Sequence, residues 1–217
     1  MSQVIFFDVP LPEDIQRRRT IDIIVSIPVR YALTRHVDVN GLRREFSGRV
    51  VKISLHEMVL AAPVKGAVGD RVIATMLGFG RIEGAILKNH NLGFVMNINM
   101  TDDERDKFAA KIEWYEKHKQ HEVADNRCSK RIIPDNPHSV VILGDGSVTG
   151  AFVIDVSVTG AAVSADVDVN IGDPVAVGKI VGRVVRYLPG GFAVKFIESQ
   201  DPRLLENALR VPSSSSS

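Results

Sequence analysis

The chain has a single cysteine, Cys128, in 217 residues. One thiol excludes an internal disulfide framework and any zinc site built on several thiolates, and it suits a reducing cytoplasm, the location expected here. Aromatic residues make up only 6%, too few for the interleaved stacking platform of a barrel that binds single-stranded RNA. Neither sign of charge is in excess. With a formal net charge of +1, no global field draws the protein to nucleic acid polymers or to an anionic membrane, and any anion site must be local. Long hydrophobic runs are missing too: no stretch reaches the roughly 18 apolar residues of a membrane span, so no membrane insertion is expected. The start, MSQVIFFDVPLPEDIQRRR, breaks its short apolar run with acids and prolines and places its arginines afterwards, unlike a secretory signal.

What is present is ordinary for a globular protein: 45% hydrophobic and 24% charged residues, in a length that suits one large domain or two small ones with modest cores. Most of the chain reads as short runs rich in Val and Ile, separated by Gly, Pro, Asn and Asp. That is the pattern of a small all-β barrel or sandwich. Gly150 to Val156, Val175 to Tyr187 and Phe192 to Ile197 are such runs; in the last, Phe192, Val194 and Phe196 alternate with Ala193, Lys195 and Ile197, so one face can enter a core. Leu143-Gly144-Asp145-Gly146-Ser147 and Leu188-Pro189-Gly190-Gly191 supply hairpin turns.

The two halves repeat each other. The segment from Gly48 aligns on the segment from Gly150 once one extra residue is allowed near the start, with Ser54 over Ser157 and Gly69 over Gly172. Further on, the segment from Gly80 matches the segment from Gly178, glycine over glycine at Gly84 and Gly182 and at Gly93 and Gly191. Tandem copies of one β module account for this. Between them, TDDERDKFAAKIEWYEKHKQHE is the clearest helix: Thr101 or Asp102 can cap it, acids crowd its first turn, and Phe108, Ile112 and Tyr115 fall at helical spacing. A shorter analogue, Pro202 to Leu209, follows the second module. The expected division is 1–121 for the first barrel and the connecting helix, 122–212 for the second module, and a disordered serine tail over 213–217.

Two strings carry chemistry. Arg127-Cys128-Ser129-Lys130-Arg131 reads R-x-x-x-R, and Asp155-Val156-Ser157-Val158-Thr159-Gly160 reads D-x-S-x-x-G. An arginine fork matches a phosphate or the O6/N7 edge of guanine in a bidentate way, and its plane can stack on a base. A carboxylate accepts from the guanine N1/N2 edge, a serine hydroxyl can bond base or phosphate, and a glycine permits close backbone approach. Together, in this order and on a β-rich background, the strings resemble the signature of the PilZ domain, a bacterial receptor for cyclic di-GMP. The resemblance covers roughly Asn126 to Arg210. It implies an all-β fold of two six-stranded barrels, each closed by a C-terminal helix, and a ligand site of Arg127, Arg131, Asp155, Ser157 and Gly160. No arrangement of acid, base and nucleophile or of metal ligands in the sequence points to an enzyme, so neither catalysis nor a metal is expected, and cyclic di-GMP is the one ligand implied.

The first module departs from the pattern. Aligned on Ser54, the second string becomes Lys52-Ile53-Ser54-Leu55-His56-Glu57, with a base in place of the acid and a carboxylate in place of the glycine. Aligning Pro28 with Pro137 places Arg18 over Arg127 but Asp22 over Arg131. A degenerate copy with a structural or partner-binding duty is expected, with the Arg17-Arg18-Arg19 run read as a solvated charge cluster. Asp166-Val167-Asp168-Val169-Asn170 resembles the start of an EF-hand loop, but Gly172 comes one place late and position twelve is Val177, so calcium is set aside. His118, His121 and Glu122 are read as answering the helix dipole, and Cys128 as incidental.

The reading is therefore a cytoplasmic bacterial signalling protein that binds cyclic di-GMP in its second barrel, answers to a protein effector, and changes the arrangement of its modules through a hinge at Val123-Ala124-Asp125-Asn126 to regulate motility, biofilm or the envelope. The alternative is a scaffold whose duplicated surfaces recruit other proteins without nucleotide.

Overall fold

A computed structural model describes residues 22–38, 40–118 and 131–210. Arg127, Cys128, the Arg17 to Arg19 run, the Val123 to Asn126 hinge and the serine tail lie outside the described residues.

The first barrel begins with a strand that lies upstream of the sequence repeat, β1 (Asp22–Val37). Val25, Ile27, Val29, Tyr31 and Leu33 alternate along it and all are buried, so one face of the strand lines the core. It is followed by β2 (Arg43–Ser54), β3 (Glu57–Ala61), β4 (Arg71–Met76), β5 (Gly80–His90) and β6 (Gly93–Asn97). These close in the order β1-β2-β3-β6-β5-β4, with every pairing antiparallel. The second barrel comprises β7 (His138–Leu143), β8 (Val148–Ser157), β9 (Gly160–Ala165), β10 (Pro174–Val177), β11 (Ile180–Leu188) and β12 (Gly191–Phe196). It closes in the same order, β7-β8-β9-β12-β11-β10. The run from Val175 to Tyr187 is thus not one strand: a turn through Gly178, at φ 59°, folds β11 back on β10.

The duplication extends to irregularities. A bulge interrupts β2/β3 between Val50 and Lys52 and β8/β9 between Val153 and Asp155; another interrupts β5/β6 between Ile86 and Lys88 and β11/β12 between Val184 and Arg186. Ala67 N donates to Asp70 Oδ2 at 2.9 Å and Asn170 N to Asp173 Oδ2 at 2.7 Å. Ile86 N donates to Asp70 O and Val184 N to Asp173 O, both at 3.0 Å. The aligned Gly84 and Gly182 share a steric reason: a Cβ there would fall 1.8 Å from Asn97 O and 2.5 Å from Lys195 O respectively.

A helix closes each barrel. α1 (Asp102–His118) opens with a capping box, in which Thr101 N donates to Glu104 Oε2 at 2.9 Å and Glu104 N to Thr101 Oγ1 at 3.4 Å. It buries Phe108, Ala109 and Ile112, and Phe108 meets Phe79 edge to face. The short α2 (Leu205–Leu209) buries Leu205 and Leu209, tied down by Ser139 Oγ donating to Leu209 O at 2.6 Å.

The barrels pack against each other, with β2 lying across β8, β9 and β12. Ser47 N donates to Ser164 Oγ at 2.9 Å and to Gly190 O at 3.1 Å. Arg44 pairs with Asp166 at 3.4 Å and Asp168 at 3.2 Å and also donates to Val167 O; His36 Nε2 lies 2.9 Å from Asp166 Oδ2. The acids of the EF-hand-like string thus serve as inter-barrel anchors. On β8, Ala151 and Val153 enter the barrel core while Phe152 lies on the opposite face and is still only 1% exposed.

Candidate functional site

The end of β8 gathers most of the residues in the two strings. Ile132 N donates to Val156 O at 2.7 Å and Val156 N to Ile132 O at 2.9 Å, an isolated antiparallel bridge that pins the segment ahead of the barrel to β8. The bridge sets Arg131 beside the bulge at Asp155. Arg131 Nη1 lies 3.1 Å from both Oδ1 and Oδ2 of Asp155. The two side chains are 33% and 26% exposed, so the pair sits in a partly desolvated surface where a charge-assisted bond is stronger than in open water. Nε and Nη2 make no hydrogen bond among the described residues, which leaves two parallel donors of the fork for an incoming acceptor pair.

Ser157 and Gly160 have local duties. Ser157 Oγ accepts from Thr159 N at 3.4 Å and donates to Gly160 O at 3.3 Å, closing the β8–β9 turn, with Thr159 Oγ1 also 3.4 Å away. A Cβ on Gly160 would fall 2.5 Å from Val194 O, so glycine is required for the approach of β12. Motif reading passed over Thr159, a variable place in the string, and Ile133, which is 52% exposed two residues beyond Arg131 and offers an apolar face for a planar base. Arg127 lies outside the described residues.

The first barrel builds the same turn with other charges. Ser54 Oγ accepts from His56 N at 3.2 Å and Glu57 N at 3.0 Å and donates to Glu57 O at 3.0 Å. Lys52 stands at the bulge in the place of Asp155. Ile23 pairs with Ile53 as Ile132 pairs with Val156, so the backbone place of Arg131 falls to Asp22. The site residues are thus charge-reversed. Arg105 of α1 also reaches over this turn, 3.0 Å from His56 Nδ1 and donating to Leu55 O.

Another charged groove spends its arginines internally. A groove of about 570 Å³ beside α1 is lined by Arg71, Arg81, Glu83 and Lys107, but both arginines are spent on Glu83. Hydrogen bonds from Arg71 and then Arg81 hold that carboxyl below its ordinary range. Among the described residues no group of three or more His, Cys, Asp or Glu could hold a metal ion, and no helix is long and apolar enough to cross a membrane.

Residues 125–210 match the family model described as the PilZ domain. No curated protein matches the chain. Among solved structures, the PilZ domain of CeSA from a cellulose-synthesizing bacterium is similar at 14% identity and a TM-score of 0.36, covering 46% of this chain and 100% of that one. The Borreliella burgdorferi PlzA protein in complex with c-di-GMP is similar at 12% identity and a TM-score of 0.28, covering 89% of this chain and 94% of that one. The Bacillus subtilis inhibitor of motility MotI/DgrA is similar at 12% identity and a TM-score of 0.28, covering 86% and 94%. The match to the PilZ domain takes in the second barrel and the pair of Arg131 and Asp155.

Proposed function

We propose that the second barrel is a receptor for cyclic di-GMP that binds its ligand without transforming it, with Arg127, Arg131, Asp155, Ser157 and Gly160 as the site. One observation carries the reading: Arg131 and Asp155, which belong to separate strings, meet through a single guanidinium nitrogen that leaves the rest of the fork open among the described residues. Cyclic di-GMP offers phosphate oxygens and guanine O6/N7 edges, both of which match two parallel donors. The carboxylate oxygens of Asp155 keep lone pairs for a guanine N1/N2 edge. Ser157 and Gly160 shape the turn that presents this edge of the barrel, and the match to the PilZ domain supports the ligand class. The first barrel, with Lys52, Glu57 and Asp22 at the corresponding positions, is a degenerate copy in this reading. Because β8 carries Asp155 and also Phe152, which is buried at the face crossed by β2, ligand capture acts on the docking of the two barrels and so on a protein effector in motility, biofilm or the envelope.

Calorimetric titration of the full chain with cyclic di-GMP, using GTP and cyclic di-AMP as controls, tests the reading. Saturable heat with cyclic di-GMP alone, reduced in Arg127→Ala and Arg131→Ala chains, is the expected result. Wild-type heat in both variants would remove these arginines from the site.

A further inference from the structure

The turn between β4 and β5 carries an apolar residue at its tip. Phe79 N donates to Met76 O at 3.2 Å, closing a turn in which Gly78 has φ 83° and Leu77 stands 96% exposed, where polar residues are usual. Leu77 does not stand alone. With Phe79, Ala110, Trp114 and Tyr115 it walls a cleft of about 360 Å³ between the turn and α1, and Trp114 is itself 62% exposed. The floor is well packed, since the Phe79 ring meets Phe108 and Tyr115 edge to face, each at a centroid distance of 5.8 Å. Lys111 lines this cleft and two grooves that continue it. One, of about 570 Å³, runs toward Arg81 and Lys107; the other, of about 590 Å³, runs between the barrels to Ile154, next to Asp155 in the chain.

Charge is graded along this trough. Lys107, Lys111 and Trp114 fall on one face of α1 at helical spacing, and the exposed Glu113 and Glu116 lie beside Trp114 in sequence. Arg71 and Arg81 share the carboxylate of Glu83, and the carboxylate of Glu104 is held in the Thr101 cap. Lys107 makes no hydrogen bond or ion pair among the described residues, and Lys111 spends one of its three donors, on Phe79 O at 3.0 Å. The trough is thus apolar at the Trp114 end and keeps unspent positive charge at the Lys107 end, in a chain whose net charge is only +1.

We propose that this trough docks a partner protein through a short segment that is apolar at one end, where a large side chain enters between Leu77 and Trp114, and acidic at the other, where carboxylates meet Lys107 and Lys111. Charge complementarity selects that occupant: the apolar end supplies the anchor and the two ammonium groups set its direction. With Leu77 and Trp114 so exposed the cleft is shallow, and a small ligand would stay in water on one side. A segment lying along the joined grooves buries both side chains. An anionic bilayer fits less well, because Glu113 and Glu116 would repel it at the place where the apolar side chains insert. The surface belongs to the first barrel and needs no nucleotide, so this proposal and the receptor reading of the second barrel stand or fall separately.

Trp114 is the only tryptophan of the chain, so its emission reports on the trough directly. The full chain without nucleotide is titrated with the acetylated, amidated peptides EEDLLF and FLLDEE, which offer the acidic end in either direction, and with forms in which lysine replaces every acid. The expected result is a saturable blue shift with at least one acidic peptide and none with the lysine forms. Lys107→Glu, which breaks no contact among the described residues, should lower the affinity roughly fivefold, and Leu77→Asp should abolish the shift. Far-UV circular dichroism establishes that both variants fold. No shift with either acidic peptide at millimolar concentration, equal binding of the lysine forms, or undiminished binding by Leu77→Asp would overturn the proposal. So would a shift produced by phosphatidylglycerol vesicles and not by the peptides, which assigns the trough to a membrane, or by raising the protein concentration alone, which assigns it to a second copy of the chain.

Discussion

Arg131 and Asp155, 24 residues apart in sequence, are joined by one guanidinium nitrogen equidistant at 3.1 Å from both carboxylate oxygens. In the proposed site, that geometry would let Asp155 aim the guanidinium as well as supply a charge. For a ligand carrying two phosphates, simple repulsion predicts that removing Asp155 tightens binding, whereas loss of aim predicts that it weakens binding. We expect the second outcome: Asp155→Ala lowers affinity for cyclic di-GMP, and Arg131→Ala lowers it by about ten- to hundredfold, the equivalent of about 1.5–3 kcal/mol for a charge-assisted bond. Calorimetry on both variants decides it, and tighter binding by Asp155→Ala would assign the carboxylate a repulsive role.

Gly160 separates a ligand role from a folding role. Its Cβ position lies 2.5 Å from Val194 O, so Gly160→Ala must push β12 away or distort the β8–β9 turn. The expected loss is roughly 1–3 kcal/mol, typical of overpacking against backbone that cannot move aside. Urea denaturation without ligand measures it. An unchanged midpoint would mean that the strand shifts freely and that the glycine serves the ligand alone.

Much of this was legible because the repeat is written in residues with steric or turn meaning. Gly84 over Gly182 and Ser54 over Ser157 are places where a strand carbonyl or a turn amide sets the residue, and the structure repeats those contacts in both barrels. The alternation of Phe192, Val194 and Phe196 likewise marks a core face, and all three are buried. Two things were not legible. Strand β1 has a clear alternation from Val25 to Leu33, but its counterpart β7 is much shorter, so no repeat drew attention to it. Phe152, Ala162 and Ser164 are buried although they lie outside the barrel's core cluster, and in sequence they are indistinguishable from core residues of neighbouring strands. Which face a barrel residue lines depends on what docks outside, and period-two alternation does not record that.

The charge reversal in the first barrel makes a sharper prediction than a missing motif does. Lys52 stands in the place of Asp155 and Asp22 in that of Arg131, so the proposed arginine–carboxylate order belongs to the second barrel's sequence positions. Full-length Arg131→Ala chains should therefore show no residual high-affinity phase for cyclic di-GMP. A second saturable phase that persists in Arg131→Ala at micromolar ligand would show that the first barrel holds nucleotide by other means.

The docking face is held by contacts of unequal weight, and their ranking can be tested. Ser47 N is shared between Ser164 Oγ and Gly190 O, so Ser164→Ala leaves it one acceptor and should change little, about 0.5 kcal/mol. Arg44 has no such redundancy. Its guanidinium, 20% exposed, joins Asp166, Asp168 and the Val167 carbonyl, and after Arg44→Ala only His36 among the described residues remains on Asp166. Asp168 is largely exposed and solvent screens its share, so the combined loss should be about 1.5 kcal/mol, a tenfold shift of the docking equilibrium. Scattering at neutral pH should show Arg44→Ala chains more extended than wild type, increasingly so at low salt if the exposed acids then repel each other. If Ser164→Ala opens the barrels as far as Arg44→Ala does, the shared hydrogen bond and not the ionic clasp holds the face together.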